Sequence, residues 1–260
     1  MSTRARQYDA QVLRREALSA HLVRLTLGGP ALAGFESTGI PDEWVGLVVP
    51  GQFQSRYYTV RSWAGGELTV DVVVHETGLV TEWAAGDCVG DTVTITEPKG
   101  SFAMPAGARW LILVGDLTAL PAIARIAESV DVRTLVHAEV PDELPDYLPE
   151  RPEVTWLSPP GAGESRLAAV VEGIDWPDGD GYFWMAGESA QMRAIRKHLM
   201  RVRRLPSTAY DVMGYWRANA QRQPRAVDPG PIYRAGKAAG RTDEQIWAEY
   251  DAAGDRAGEH

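Results

Sequence analysis

The spacing of apolar and polar residues along the chain changes at about residue 105. Before that point, short segments such as residues 22–27 and 68–74 alternate between apolar and polar positions and end at turn residues. Alternation with a period of two is typical of strands with one buried face, and several short strands at regular spacing indicate an antiparallel barrel or sandwich. Residues 35–50 are rich in turn formers and are expected to be irregular.

After residue 105 the pattern becomes one of buried strands alternating with helices. Residues 110–115 form a continuous apolar run, which is typical of a strand buried on both faces. Further strands are expected at 132–140, 154–157, 182–186 and 210–214, and helices are expected at 119–129, 166–172 and 191–204. Strands that alternate with helices predict a parallel sheet covered by helices.

The chain is therefore expected to have three parts. Residues 1–104 are predicted to form an antiparallel β-barrel domain, and residues 105–218 an α/β domain with a parallel sheet. Residues 219–260 lose the apolar pattern except for a short helix near 243–250, so they are predicted to form a C-terminal tail.

Composition narrows the possible functions. The net charge of −9 argues against general nucleic-acid binding, which needs a basic surface. A single cysteine, Cys88, cannot form an intramolecular disulfide or an iron–sulfur cluster, and the five histidines lack metal-ligand spacing, so no protein-held metal is expected. The first residues are polar and the apolar runs are short, which predicts a cytoplasmic protein without membrane insertion. A monomer is expected.

Residues 55–61 carry an unusual set of side chains for a structural strand. In an extended backbone Arg56, Tyr58 and Val60 share one face, with Thr59 and Arg61 on the other. An arginine can hold a phosphate through two hydrogen bonds, a tyrosine can lie against a flat ring, and a threonine hydroxyl can meet a ring heteroatom. A cofactor with a pyrophosphate and a flat polar ring, such as flavin adenine dinucleotide (FAD), would use all three. An exposed edge strand with solvated arginines is the alternative.

Four later segments could also contact a nucleotide. A glycine turn and helix start at 74–84 would present free backbone N–H groups to a pyrophosphate, and the segment 115–123 stands at the end of a buried strand, where open sheets bind ligands. The segments 184–189 and 214–217 follow later predicted strands. Ordinary helix starts, with Asp116, Thr118 or Ser189 as caps, would explain much of the same pattern.

Together these segments resemble the siderophore-interacting protein family, whose members are FAD-dependent ferric-siderophore reductases of the ferredoxin–NADP reductase superfamily. Residues 56–61 resemble its R-x-Y-T-x-R signature, and residues 115–123 its G-D-E-T-A-L-P-A-I, with Leu117 in place of Glu. Residues 186–189 and 214–217 are similar to A-G-E-S and G-Y-W-R. Residues 75–84 match H-G-x-G-P-A-S-x-W-A less well, because Glu76 replaces a glycine.

The resemblance implies an FAD-binding barrel of the ferredoxin-reductase type, an α/β domain that binds NADH or NADPH, and reduction of a ferric siderophore with release of ferrous iron. It implies the following cofactor-binding residues: Arg56, Tyr58, Thr59, Val60, Arg61, His75, Gly78, Val80, Thr81, Asp116, Thr118, Ala119, Gly187 and Glu188. No catalytic acid, base or nucleophile is required, and none is assigned. Glu139, at the end of the second α/β strand, favours a free ribose hydroxyl and therefore NADH.

An anionic ferric siderophore is the expected substrate, because a row of cations could attract it to the flavin. The residues expected at this mouth are Arg193, Arg196, Lys197, Tyr215, Trp216 and Arg217. A solvated helix face is the alternative for the cations between 193 and 204. Two other functions stay open: a flavin oxidoreductase with another acceptor, such as a ferredoxin or a free flavin, and a siderophore-binding protein without turnover.

Overall fold

The computed structural model describes residues 6–52, 54–75, 78–161 and 164–217, and the account below concerns these residues. The predicted tail and its short helix lie outside them. The predicted fold class is confirmed: a closed, six-stranded antiparallel barrel is followed by a five-stranded parallel sheet with helices.

The barrel strands are β1 (Gln7–Ala17), β2 (Leu22–Gly28), β3 (Trp44–Val48), β4 (Arg56–Ala64), β5 (Glu67–Val73) and β6 (Thr92–Thr96), in the order β1-β2-β5-β4-β3-β6. A short helix, α1 (Leu79–Ala85), follows β5. Alternate strand residues point inward and form one apolar core, as the period of two predicts.

Strand β3 corrects the expectation that residues 35–50 are irregular. It pairs with both β4 and β6, although it is only five residues long and contains Gly46. A Cβ atom at Gly46 would lie 3.1 Å from side-chain atoms of both Ser55 and Thr96. The glycine therefore reflects close tertiary packing, which the local sequence pattern does not reveal.

The parallel sheet contains β7 (Trp110–Asp116), β8 (Arg133–Glu139), β9 (Glu153–Leu157), β10 (Tyr182–Glu188) and β11 (Tyr210–Trp216), in the order β11-β10-β7-β8-β9. Its helices are α2 (Leu120–Ser129), α3 (Leu167–Gly173) and α4 (Gln191–Arg201). The predicted helix over 191–204 therefore ends at Arg201.

The helices cover opposite faces of this sheet. Helix α2 packs on one face together with residues such as Leu113 and Trp184, and it also contacts β4 of the barrel. Helices α3 and α4 pack on the other face, through Leu167, Ile195 and Leu199. The barrel therefore lies on the α2 side of the sheet. Because all five strands are parallel, Asp116, Glu188 and Trp216 end their strands at the same edge, called the carboxyl edge below.

Candidate functional site

Strand β4 changes its pairing partner along its length. Among the described strands, residues 56–59 pair with β3, and pairing with β5 begins at Val60. Strands β4 and β5 thus separate over the segment that contains Arg56 and Tyr58. The Arg56 side chain is exposed, while Tyr58 is partly buried against the barrel core. A cation, an aromatic ring and a strand edge with polar backbone groups lie together at this opening in the barrel wall.

Val60 and Arg61, which end the R-x-Y-T-x-R segment, face the α/β domain instead. Arg61 forms two hydrogen bonds with Glu128 of α2, at 2.6 and 3.1 Å, and its guanidinium lies over the Tyr147 ring, 5.4 Å from the centroid. The Val60 N–H group donates to the Glu43 carbonyl, and the Val60 carbonyl accepts from Arg125 at 2.5 Å. Arg61 and Val60 therefore join the two domains, and Val60 has no N–H left for a ligand.

The turn before α1 has the backbone that glycine favours. Gly78 has φ +143°, and a Cβ there would lie 3.2 Å from the His75 ring. The Thr81 hydroxyl donates to the Val73 carbonyl at 2.9 Å, and Val80 is buried. The Gly78 N–H donates to the Glu82 carboxylate at 3.3 Å. A pyrophosphate at this turn would have to displace Glu82, which the sequence pattern did not indicate.

Asp116 is the centre of a hydrogen-bond network at the carboxyl edge. One of its carboxylate oxygens accepts from the Thr118 N–H at 2.9 Å and from the Thr118 hydroxyl at 2.5 Å. The other accepts from the indole N–H of Trp216 at 2.6 Å. Burial raises the pKa of Asp116, and the hydrogen bonds from Thr118 and Trp216 oppose that rise. The segments predicted separately around residues 116 and 216 thus meet through one side-chain contact.

Gly187 and Glu188 complete this edge. Gly187 has φ +155°, and a Cβ there would lie 2.7 Å from Asp116 Oδ2, so this position requires glycine. The Glu188 side chain is buried and accepts from the N–H of Ala190 at the start of α4. The Ser189 hydroxyl donates to the Trp216 carbonyl at 2.7 Å, which ties the ends of β10 and β11 together.

The Tyr215 ring is enclosed rather than open to a substrate. Its hydroxyl is buried and has no hydrogen-bond partner among the described residues, although the Thr59 hydroxyl is close enough to oppose the rise in pKa that burial causes. The ring meets Trp184 edge-on, with 6.5 Å between centroids. Tyr215 therefore lies near Thr59 of β4 and connects the carboxyl edge with the barrel.

The predicted substrate cations do not all lie at this edge. Helix α4 starts directly after β10 and runs back along the sheet, so Arg193 is near the carboxyl edge and the cations after Arg201 are at the opposite end. Arg196 donates to the Val212 carbonyl at 2.6 Å, while Lys197 is exposed. Arg217 follows β11 and is exposed. A single basic mouth over residues 193–204 is therefore not formed.

Glu139, from which NADH was expected, already has a backbone partner, and the choice of nicotinamide stays a prediction. The Glu139 side chain is buried, and one of its oxygens accepts from the Arg166 N–H at 3.0 Å. A ribose hydroxyl would have to replace that contact. Leu117, which stands where the family has Glu, is buried with the apolar residues around α2, and Ala119 is buried there too.

Several residues that shape the site belong to no local sequence motif. Glu43 is fully buried and accepts from Arg125 at 3.1 Å, and Asp42 accepts from the backbone N–H groups of Ser101 and Phe102. Tyr147 donates to Asp71, which Arg24 also contacts. All of these contacts join residues far apart in the chain, so no local motif could reveal them.

Two family models match the chain. The siderophore-interacting FAD-binding domain matches residues 51–102, and the siderophore-interacting protein model matches residues 108–219, which together are more than half of the chain. The chain belongs to the siderophore-interacting protein family.

Curated relatives and solved structures agree with this family. The NADPH-dependent ferric-chelate reductase of Escherichia coli is 28% identical over 81% of this chain and 92% of its own length, and the ferric vibriobactin reductase ViuB of Vibrio cholerae is 28% identical over 79% and 87%. The siderophore utilization protein from T. fusca is 28% identical, with a TM-score of 0.71 over 83% of this chain and 94% of its own. A ferredoxin reductase in carbazole 1,9a-dioxygenase, 16% identical with a TM-score of 0.66, shares the fold.

The residues at the opening suit the FAD of this family. Arg56 is exposed and the edge of β4 carries backbone groups that β5 does not bond, so both can accept a charged, polar ligand. Tyr58 offers a ring partly supported by the barrel core. Among the described residues, no group of three or more potential metal ligands occurs, and no helix is long and apolar enough to cross a membrane.

Proposed function

We propose that this family member is an FAD-dependent reductase that uses NADH or NADPH to reduce a ferric siderophore and thereby releases ferrous iron in the cytoplasm. The observation that carries the proposal is the opening between β4 and β5, which exposes Arg56 and leaves Tyr58 partly buried, one residue before Thr59, which lies near Tyr215 of β11. The match to a siderophore-interacting FAD-binding domain, and relatives named as ferric-chelate and ferric-vibriobactin reductases, support it.

The chain's own residues bind the cofactor and orient the reactants. The Arg56 guanidinium can hold a phosphate with paired hydrogen bonds, and the Tyr58 ring can lie against a flat heterocycle. When bound, FAD supplies the conversion of a two-electron hydride donor into single electrons. The hydrogen bonds of Asp116 with Thr118 and Trp216 hold the carboxyl edge in one arrangement, against which a nicotinamide could be positioned.

The domains are held at a fixed separation by polar contacts. Arg125 bridges Glu43 and the Val60 carbonyl, and the Arg61–Glu128 pair lies beside it. These contacts would hold the nicotinamide, the FAD and the ferric siderophore at fixed positions relative to one another. At the substrate, hard oxygen donors hold ferric iron more tightly than ferrous iron, so that one-electron reduction weakens the complex.

The experiment is anaerobic turnover with a ferrous-iron chelator. Purified protein supplied with FAD is mixed with NADH or with NADPH and a ferric siderophore, and formation of the ferrous chelate is followed by absorbance. A rate that requires FAD, a nicotinamide and the siderophore together supports the proposal. FAD reduction without ferrous iron would indicate another acceptor. Siderophore binding without any FAD reduction would indicate a binding protein.

A further inference from the structure

Helix α4 presents a row of cations that the candidate site does not use. Positions 193, 196, 197 and 201 are one or two helical turns apart, so their side chains share one side of the helix, and the buried Ile195 and Leu199 lie on the other. We call this surface the α4 basic face. Its members are Arg193, Arg196, Lys197, Met200 and Arg201 on α4 and Val202, Arg203 and Arg204 directly after it.

Within the described residues, no ion pair compensates the charges of this face. None of the ion pairs in the described part of the chain includes any of its cations, although the whole protein carries a net charge of −9. Arg196 donates to a backbone carbonyl, and Arg203 lies over the Trp176 ring at 4.6 Å. The face therefore keeps a concentrated positive charge on an otherwise acidic protein, and this charge favours an anionic partner.

Two apolar side chains project from among the cations. Met200 is 59% exposed and lies within the row, one turn after Arg196 and Lys197, while Val202 is 66% exposed. Apolar groups surrounded by cations suit the boundary of an anionic bilayer, where the apolar groups enter the acyl region and the cations reach phosphates. On a helix face that contacts only water, the exposed side chains of Met200 and Val202 would add no stability.

Arg204 has a backbone conformation that is unusual for a residue other than glycine. It has φ +57° and lies between Leu199 and Leu205, whose C=O and N–H groups form the 3.0 Å hydrogen bond that closes the end of the helix. This left-handed position is usually glycine, because other residues are strained there. An arginine at this position keeps a charge on the face at the expense of local stability, which points to a use for the charge.

We infer that the α4 basic face docks the protein on the surface of an anionic phospholipid bilayer. Helix α4 covers the sheet face opposite α2 and the barrel, so docking would leave the opening beside Arg56 accessible. The inference does not depend on the proposed reductase activity, and it concerns surface attachment without insertion of a helix.

The test is sedimentation with lipid vesicles. The full-length protein is mixed with vesicles of phosphatidylcholine alone or of phosphatidylcholine with phosphatidylglycerol, at low and high salt. We expect sedimentation only with the anionic vesicles and its loss at high salt, because salt screens exposed charges. Arg201→Gln and Arg204→Gly should each weaken binding about fivefold, and Met200→Ser should weaken it roughly threefold without changing charge.

Two controls separate docking from folding. Arg151→Gln removes an exposed cation that pairs with Asp131 elsewhere on the α/β domain, and should leave sedimentation unchanged. Arg204→Gly should leave the thermal midpoint equal or higher while vesicle binding falls. Equal binding to both vesicle types, no binding to anionic vesicles at low salt, or unchanged binding in the Arg201→Gln/Arg204→Gly double variant would each overturn the inference. Retention on heparin without vesicle binding would assign the face to an acidic macromolecule instead.

Discussion

Replacing Arg56 by alanine is expected to weaken FAD binding without destabilising the apoprotein. Breaking a desolvated, charge-assisted phosphate contact costs about 2–5 kcal/mol. The Arg56 side chain is exposed at the opening beside β4, so water screens part of the interaction and the lower value applies. A loss of about 2 kcal/mol corresponds to roughly a 30-fold increase in the dissociation constant.

Arg61→Ala is the matched comparison, because it removes the same group from the same strand. The Arg61 guanidinium bonds Glu128 and lies over Tyr147, and the Glu128 side chain is 44% exposed. A partly exposed ion pair with a ring contact contributes about 1 kcal/mol. We expect Arg61→Ala to lower the free energy of unfolding by about that amount and to change FAD affinity less than Arg56→Ala does.

The assay is titration of flavin-free protein with FAD, followed by calorimetry or by quenching of flavin fluorescence, together with denaturant unfolding of each apoprotein. The reasoning is refuted if Arg56→Ala binds FAD as tightly as the unmodified protein. It is also refuted if Arg61→Ala loses as much affinity as Arg56→Ala at unchanged stability, because Arg61 would then bind the cofactor rather than the α/β domain.

Three further outcomes follow from buried polar groups. Trp216→Phe leaves the buried Asp116 carboxylate with one donor fewer and should cost about 1–3 kcal/mol in denaturant unfolding, with Trp216→Tyr as a comparison that keeps a polar ring. Tyr147→Phe removes the hydroxyl that donates to Asp71, but Asp71 still accepts from Arg24, so the free energy of unfolding should fall by less, about 1 kcal/mol. A variant as stable as the unmodified protein would contradict this contact. Burial lowers the pKa of His137 in the folded state below its unfolded value. The free energy of unfolding should therefore be unaffected by His137 above about pH 6.5 and should decrease as the pH falls below that value, by up to about 1.4 kcal/mol per pH unit. In unfolding curves, His137→Gln should reduce this pH dependence.

Much of the architecture follows from local patterns. Residues 110–115 are apolar throughout because β7 is buried between two helical layers, and the alternation in 68–74 reflects one face toward the barrel core. The Tyr, Thr and Val residues after Arg56 predict a strand, and β4 contains this segment. Periodicity reports which face a side chain occupies, and short-range steric and burial preferences act within one element, so these features are readable from the chain.

The tertiary structure determines which residues each strand or helix face contacts. The period of two separates Arg56 from Arg61 but does not show that one is exposed beside an opening while the other pairs with Glu128. The Asp116–Trp216 bond joins residues 100 positions apart, and the row of cations after residue 191 extends to the end of the sheet opposite the site because α4 runs antiparallel to β10. Long-range packing sets these partners, and no local preference of the chain encodes them.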